Sequence, residues 1–270
     1  MTETQEQAMF SLIRRAGAVI LEASSRLAES DVTSKEGSAN YVTVYDVQVQ
    51  RMLVTGIEEI FPGCSFLAEE EGADQNTLGD GWTFVIDPID GTANFIRDYH
   101  RSAISVGALY QGELAWGAVY NPYTDEMFHG RKGCGAYLNG KPISVSKRSM
   151  GDAIIVMGTS PYYRTELGER TMEITKALFM QCDDIRRSGS AALDLCDVAS
   201  GRMDAFFELR LSPWDFMAGC LLIQEAGGWI TTVSGEVLPT DGRKSSVAAG
   251  GPVLREDFLA VLENGGKYAI

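Results

Sequence analysis

Apolar positions recur along this chain at two different periods, and the change of period divides it. Met9, Leu12, Ile13, Ala16, Val19 and Ile20 follow three- and four-residue steps, the spacing of one helix face. Val49, Met52, Leu53, Ile57 and Ile60 repeat that spacing, and Pro62-Gly63 ends the second helix. From about residue 82 to 146 the pattern turns to strands. Trp82 to Ile86 is a buried run, followed by AISVGALY, ELAWGAVY and EMFHG, with QG and NPYTD between them. Asn139-Gly140 is a hairpin turn. An antiparallel meander fed by two helices is expected here.

From about residue 152 strands and helices alternate. AIIVMG, MDAFFE, WITT and SVAAG predict strands. TMEITKALFM, SAALDLCDVASG and WDFMAGCLLIQEAGG predict helices, the last ended by Gly227-Gly228. The first half is therefore α+β and the second α/β. A boundary in the polar stretch SVSKRSMGD gives an N-terminal subdomain over 1–148 and a C-terminal one over 149–270. No internal repeat or low-complexity segment interrupts this pattern.

Composition narrows the chemistry. Apolar residues make up 45% of the 270, enough for a sizeable core, and no apolar run reaches the length of a membrane span. The polar start MTETQEQAMF lacks the features of a secretory signal, so a cytoplasmic protein is expected. The five cysteines form no CxxC pair and are expected to be reduced core residues. A net charge of −14 disfavours nucleic-acid backbones and anionic membranes as partners. With only His100 and His129, a His-rich zinc site is nearly excluded, and any metal must be held by oxygen. Oxygen ligands suit Mg²⁺, Mn²⁺ or Ca²⁺.

The candidate chemistry lies in WTFVIDPIDGTANF, residues 82–95. Pro88 disfavours helix at Asp87, so the strand is expected to end there, and Gly91 allows a sharp turn. Asp87 and Asp90 can converge across that kink, although Asp, Pro and Gly also make ordinary turns. Asp46 and Asp215 start helices, where acids serve as caps. Glu69, Glu70 and Glu71 follow a short apolar run, as a solvated face can. If these acids converge, each pair of carboxylates about 4 Å apart repels by roughly 4 kcal/mol at an effective dielectric of about 20. Divalent cations would reverse that sign and would draw a phosphate into an acidic protein.

The stretches WTFVIDPIDGTANF and SPWDFMAGCLLIQEAGG, with SFLAEEEG, KEGSANYVTVYD and RRSGSAALDLCDVASGRMDAFFE in the same order, resemble the inositol monophosphatase family over residues 8 to 262. The resemblance implies an alternating α/β/α/β/α layered sandwich and a Mg²⁺-dependent, Li⁺-sensitive phosphomonoesterase, usually a homodimer. It implies two or three Mg²⁺ ions, with Mn²⁺ as a substitute, held by Glu69, Asp87, Asp90, Asp215 and the carbonyl of Ile89. Thr92 and Asp46 would orient and deprotonate a metal-activated water, with Glu70 beside it. Gly91 and Thr92 would offer N–H groups to the phosphate. Glu208 would bind a sugar hydroxyl, Ala191 would line the ring, and Lys35 would lie near the metals. The implied substrate is a small phosphorylated polyol or sugar, myo-inositol 1-phosphate first. Fructose 1,6-bisphosphate and histidinol phosphate are alternatives, and a regulatory protein that keeps the fold without turnover is a rival.

The sequence departs from the family over Ile96 to Ser102, where a His-Gly-aromatic-Pro stretch is replaced by IRDYHRS. That segment is expected to reshape the rim of the pocket. A second substrate phosphate would need cations, for which Arg97, Arg101, Arg164, Arg186 and Arg187 are candidates.

Overall fold

The protein's structure, a computed structural model, describes residues 1–24, 26–34, 41–70 and 78–264. Two amphipathic helices come first, α1 (Glu3–Ser24) and α2 (Val44–Ile60), with a two-stranded ribbon between them, β1 (Val32–Ser34) and β2 (Tyr41–Thr43). A seven-stranded sheet follows. It runs in chain order through β3 (Ser65–Ala68), β4 (Trp82–Asp90), β5 (Ala103–Tyr110), β6 (Glu113–Asn121), β7 (Glu126–Arg131), β8 (Ala136–Leu138) and β9 (Lys141–Pro142). Only the β3–β4 pair is parallel; the rest is the expected meander. A short helix, α3 (Thr92–Ile96), follows β4 directly.

The second sheet holds β10 (Ile154–Met157), β11 (Asp184–Arg186), β12 (Ala205–Leu211), β13 (Trp229–Thr231) and β14 (Ser245–Gly250), in the order β11-β10-β12-β14-β13. Its helices are α4 (Arg164–Phe179), α5 (Ala191–Ala199), α6 (Pro213–Glu225) and α7 (Arg255–Glu263). The subdomain boundary expected at 148/149 falls in the connection between β9 and β10.

Strand alternation sorts the side chains into layers. On β4, Phe84 and Ile86 pack with Ile13, Ile20, Val49 and Leu53 of α1 and α2, whereas Val85 packs with Phe216 and Met217 of α6. On β12, Phe206 joins α5 and α6, while Phe207 joins Leu178 of α4 and Phe258 of α7. The layers are thus α1/α2, large sheet, α5/α6, small sheet, α4/α7, the alternating sandwich implied by the resemblance. α6 is sandwiched, so it is apolar on nearly every face. It lies close to the large sheet because β5 and β6 carry glycines there. A Cβ on Gly107 would come within 3.0 Å of Met217 Cβ, and one on Gly117 within 3.0 Å of Ala218 O.

Two expectations need correction. The strand does not end at Asp87, because β4 pairs Asp87 with Ser105 and, after an irregularity, Asp90 with Ala103. A proline is compatible with extended backbone, and the missing N–H falls where the ladder is already broken. The cysteines are free but not all in the core. Cys64, Cys196 and Cys220 are buried, while Cys134 is exposed in the turn after β7, where its N–H donates to Arg131 O. Among the described residues, no helix is long and apolar enough to cross a membrane.

Candidate active site

The irregularity in β4 creates the site. Residues three apart on a regular strand face opposite sides of a sheet. One extra residue between Asp87 and Asp90 restores the same side, so both acids face α5 and α6 while Ile89 stays in the core against α1 and α2. Asp215 arrives from the first turn of α6, where it also completes a capping box: Ser212 N donates to its Oδ2 at 2.7 Å. Potential ligand atoms of Asp87, Asp90 and Asp215 lie within 4.8 Å of one another. Glu69 is brought alongside by the parallel β3–β4 register, with its N–H donating to Ile86 O at 3.1 Å.

Around this cluster each carboxylate is held differently. Asp87 accepts from Ile89 N at 3.0 Å. Asp90 accepts from Ser190 Oγ and, at 2.9 Å, from Ala192 N, which ties it to the start of α5. Among the described residues, none of Asp87, Asp90 and Asp215 forms an ion pair. Burial, and then neighbouring carboxylates, push Asp87 and Asp215 well above the usual carboxylate range. Burial also raises Asp90 to about 6, against the donors from Ser190 and Ala192.

Asp46 sits at the third position of α2 in a capping box of its own, accepting from Thr43 N at 2.8 Å and Thr43 Oγ1 at 2.5 Å. Its other oxygen, Oδ1, accepts from Thr92 Oγ1 at 3.3 Å, and Thr92 Oγ1 also lies 3.2 Å from Ile89 O. Burial pushes Asp46 up to about 6. For both Asp46 and Asp215, then, the cap explains the local structure and does not remove the residue from the site. Glu70 is buried, and its backbone is clamped by Gln50, which donates to Glu70 O at 2.8 Å and accepts from Glu70 N at 2.9 Å.

Gly91, at φ +88, caps α3 in the left-handed region. A Cβ there would come within 3.1 Å of both Arg101 O and Gly189 O. Two adjoining cavities open on the acids. The larger, about 350 Å³, is walled by the acids together with Tyr162, Tyr163, Trp214 and Lys244. The smaller, about 190 Å³, holds Ala191 and Glu208 and shares Asp90, Gly91, Thr92, Tyr162 and Asp215 with the first. Glu208 accepts from Ser160 N at 2.7 Å and Ser160 Oγ at 3.2 Å, and burial raises it to about 7. Its carboxylate occupies the space a side chain at residue 158 would need, which accounts for Gly158.

Glu69, Asp87, Ile89, Asp90, Gly91, Thr92, Ala191, Glu208 and Asp215 line these cavities; Asp46 lines neither but reaches Thr92 through a hydrogen bond, Glu70 lines neither, and Lys35 lies outside the described residues with Glu71. The Ile96 to Ser102 segment does not form the rim, because none of it lines either cavity. It acts from behind the turn: Asn94 Nδ2 donates to Arg101 O at 2.7 Å and to Ser188 O at 3.0 Å. The Arg101 guanidinium is held by Asp194 at 3.2 Å and Asp197 at 2.5 Å on α5. His100 stacks on Tyr123 and His129 packs between Phe10 and Tyr137, both away from the cavities. Sequence reasoning missed Gln50, Ser160, Tyr162, Tyr163 and Lys244. No pattern in the sequence marks them: even Ser160, a non-glycine at φ +41 beside Pro161, stands out only in the fold.

Residues 1–267 match the inositol monophosphatase family model. The chain belongs to the inositol monophosphatase family. Its family relatives include the inositol-1-monophosphatase of Bacillus subtilis, 36% identical over 248 residues and covering 92% of each chain. The Nus factor SuhB of Vibrio cholerae is 35% identical over 262 residues, 95% of each. Among solved structures, an IMPase of Thermotoga maritima superposes with a TM-score of 0.87 at 29% identity, covering 98% of each chain. The family is thus represented by proteins named for a phosphatase activity and by proteins named for another role.

Proposed function

We propose that this chain is a divalent-metal-dependent phosphomonoesterase acting on a small phosphorylated polyol or sugar, with myo-inositol 1-phosphate as substrate and Mg²⁺ as metal. The observation that carries the proposal is the convergence of Asp87, Asp90 and Asp215 within 4.8 Å, beside the Thr92–Asp46 hydrogen bond. The donor set fits a hard cation, because it is all oxygen, partly desolvated and self-repelling without one. Glu69, Asp87, Asp90, Asp215 and the Ile89 carbonyl would hold it, and Mn²⁺ suits the same ligands. Such a cation supplies Lewis-acid charge for the phosphoryl group and for the attacking water.

The chain's own groups have separate tasks. Thr92 Oγ1 donates to Asp46 Oδ1, so a water beside Thr92 can pass a proton to Oγ1 while Oγ1 passes its own to Oδ1. Asp46, raised to about 6, remains mostly ionised at neutral pH yet is basic enough to accept that proton. Gly91 keeps side chains off the turn where the phosphate approaches. Glu208 accepts a hydrogen bond from a polyol hydroxyl, and Ala191 leaves space for the ring.

The relatives named Nus factors support a second reading, a regulatory protein that retains the fold. Asp90→Asn separates the two. The phosphatase reading expects at least a hundredfold lower phosphate release, on the order of a lost electrostatic catalytic group, with the far-ultraviolet circular dichroism unchanged. Full turnover in that variant refutes Asp90 as a ligand. No turnover in the unmodified protein favours the regulatory role.

A further inference from the structure

Every residue of α5 is buried, yet one face of the helix carries two acids, Asp194 and Asp197. They stand three residues apart, on neighbouring positions of the helix surface, where like charges repel. Buried carboxylates also lose hydration, so this pair needs a cation. It comes from the stretch Ile96 to Ser102, where the sequence departs from the family. Arg101 Nη2 donates to Asp194 Oδ1 at 3.2 Å and to Asp197 Oδ2 at 2.5 Å, so one nitrogen bridges both acids. Arg101 Nε is buried and has no hydrogen-bond partner among the described residues, so the side chain's hydrogen bonds run to α5 alone. Arg202 Nη1 reaches Asp197 Oδ1 only at 3.4 Å.

Both ends of this bridge are tied to the acid cluster. At one end Arg101 O accepts from Asn94 Nδ2 at 2.7 Å, and the same amide donates to Ser188 O at 3.0 Å. Gly91 lies against Arg101 O and Gly189 O, with 3.1 Å left for a Cβ at either. At the other end Ser188 Oγ donates to Asp194, and Ser190, the cap of α5, donates through Oγ to Asp90 Oδ2. Ala192 N donates to that same oxygen at 2.9 Å. A displacement of α5 therefore moves two donors that hold Asp90 Oδ2, and with them the direction of Oδ1.

We propose that Arg101 is a positioning residue for the metal site. By fastening the first two turns of α5 to the turn after β4, it sets the orientation of Asp90 toward the cation. Arg101 lines neither cavity, so it acts only through α5 and Asp90. This rests on the metal-dependent reading above.

The test is Mn²⁺ binding to the full chain, read by electron paramagnetic resonance of the free ion. Beside it stands the Mg²⁺ dependence of phosphate release from myo-inositol 1-phosphate. Both are measured at a temperature where circular dichroism shows each protein folded. Arg101→Met keeps an apolar stem and removes the bridge. Charge alone would not weaken metal binding in that variant. Loss of a cation leaves the neighbourhood more negative, or unchanged if Asp194 takes up a proton. Displacement of Asp90 does weaken it. Arg101→Met is expected to raise both the Mn²⁺ dissociation constant and the Mg²⁺ concentration for half-maximal release roughly tenfold, the scale of a lost outer contact to a metal ligand. Arg101→Lys keeps the charge without the full reach, and both quantities should fall between those of the other two proteins. It decides alone if Arg101→Met does not fold. A lower Tm with unchanged Mn²⁺ affinity would show that Arg101 only stabilises α5, and overturns the proposal. Tighter Mn²⁺ binding overturns it too. No Mn²⁺ binding to the wild type refutes the metal-dependent reading itself, and the proposal with it.

Discussion

Asp87→Asn is expected to stabilise the metal-free protein while removing its activity. Asp87 is only 2% exposed, and its ligand atom lies within 4.8 Å of those of Asp90 and Asp215. At that separation and an effective dielectric of about 20, each ionised pair repels by roughly 3.5 kcal/mol. Proton uptake relieves part of this, leaving about 2 kcal/mol as the expected gain. The asparagine carbonyl can still accept from Ile89 N, the 3.0 Å bond that Asp87 makes now. For a chain of this size the gain corresponds to a rise in Tm of about 5 °C.

The pH dependence follows from the direction of the shift. Native Asp87 keeps its proton to higher pH than an unfolded aspartate does. Within that window the native state binds more protons, so the unfolding free energy of the wild type falls as pH rises. The advantage of Asp87→Asn is therefore largest at pH 7.5 and shrinks on acidification. Differential scanning calorimetry in EDTA at pH 7.5 and 5.5, repeated with Mg²⁺, reads each quantity. Mg²⁺ should raise the wild-type Tm and reverse the order of the two proteins, because ligand binding to the native state adds stability. A chelated variant less stable than the wild type at pH 7.5 would refute the picture of crowded, mutually repelling acids.

Thr92→Val should lower kcat by roughly a hundredfold or more, the scale of a lost acid–base group, and move KM little; steady-state kinetics on myo-inositol 1-phosphate decides this. Glu208→Gln keeps an acceptor but loses the charge that strengthens a hydroxyl bond, so KM for that ester should rise about tenfold with a smaller change in kcat. Gln50→Ala removes both bonds to the Glu70 backbone and should cost about 2 kcal/mol in urea unfolding; a loss below about 0.5 kcal/mol would show that the clamp is dispensable.

The layers of this fold are legible in the sequence wherever a period persists over a whole element. Met9 to Ile20 and the meander from Ala103 to Arg131 are such cases. The acids are legible because Asp87 and Asp90 are neighbours in the chain, and Asp46 and Asp215 stand at helix starts. What is not legible is contact made across the chain. Gln50 meets Glu70 and Ser160 meets Glu208 through side chains that no local pattern predicts. The continuation of β4 past Pro88 is hidden for a related reason: the pairing with Ala103, not local propensity, keeps Asp90 in the strand. The substitution of IRDYHRS draws attention to the pocket rim, but of its two arginines Arg101 is held by Asp194 and Asp197, and Arg97 lines neither cavity.

The central claim is that the Asp87–Asp90–Asp215 cluster holds a divalent metal that phosphate release requires. The most direct test is phosphate release from myo-inositol 1-phosphate by the chelated protein, before and after Mg²⁺ is restored. The account predicts no release above background in EDTA and full, saturable recovery with Mg²⁺. Turnover that persists in EDTA at the Mg²⁺-restored rate would contradict it.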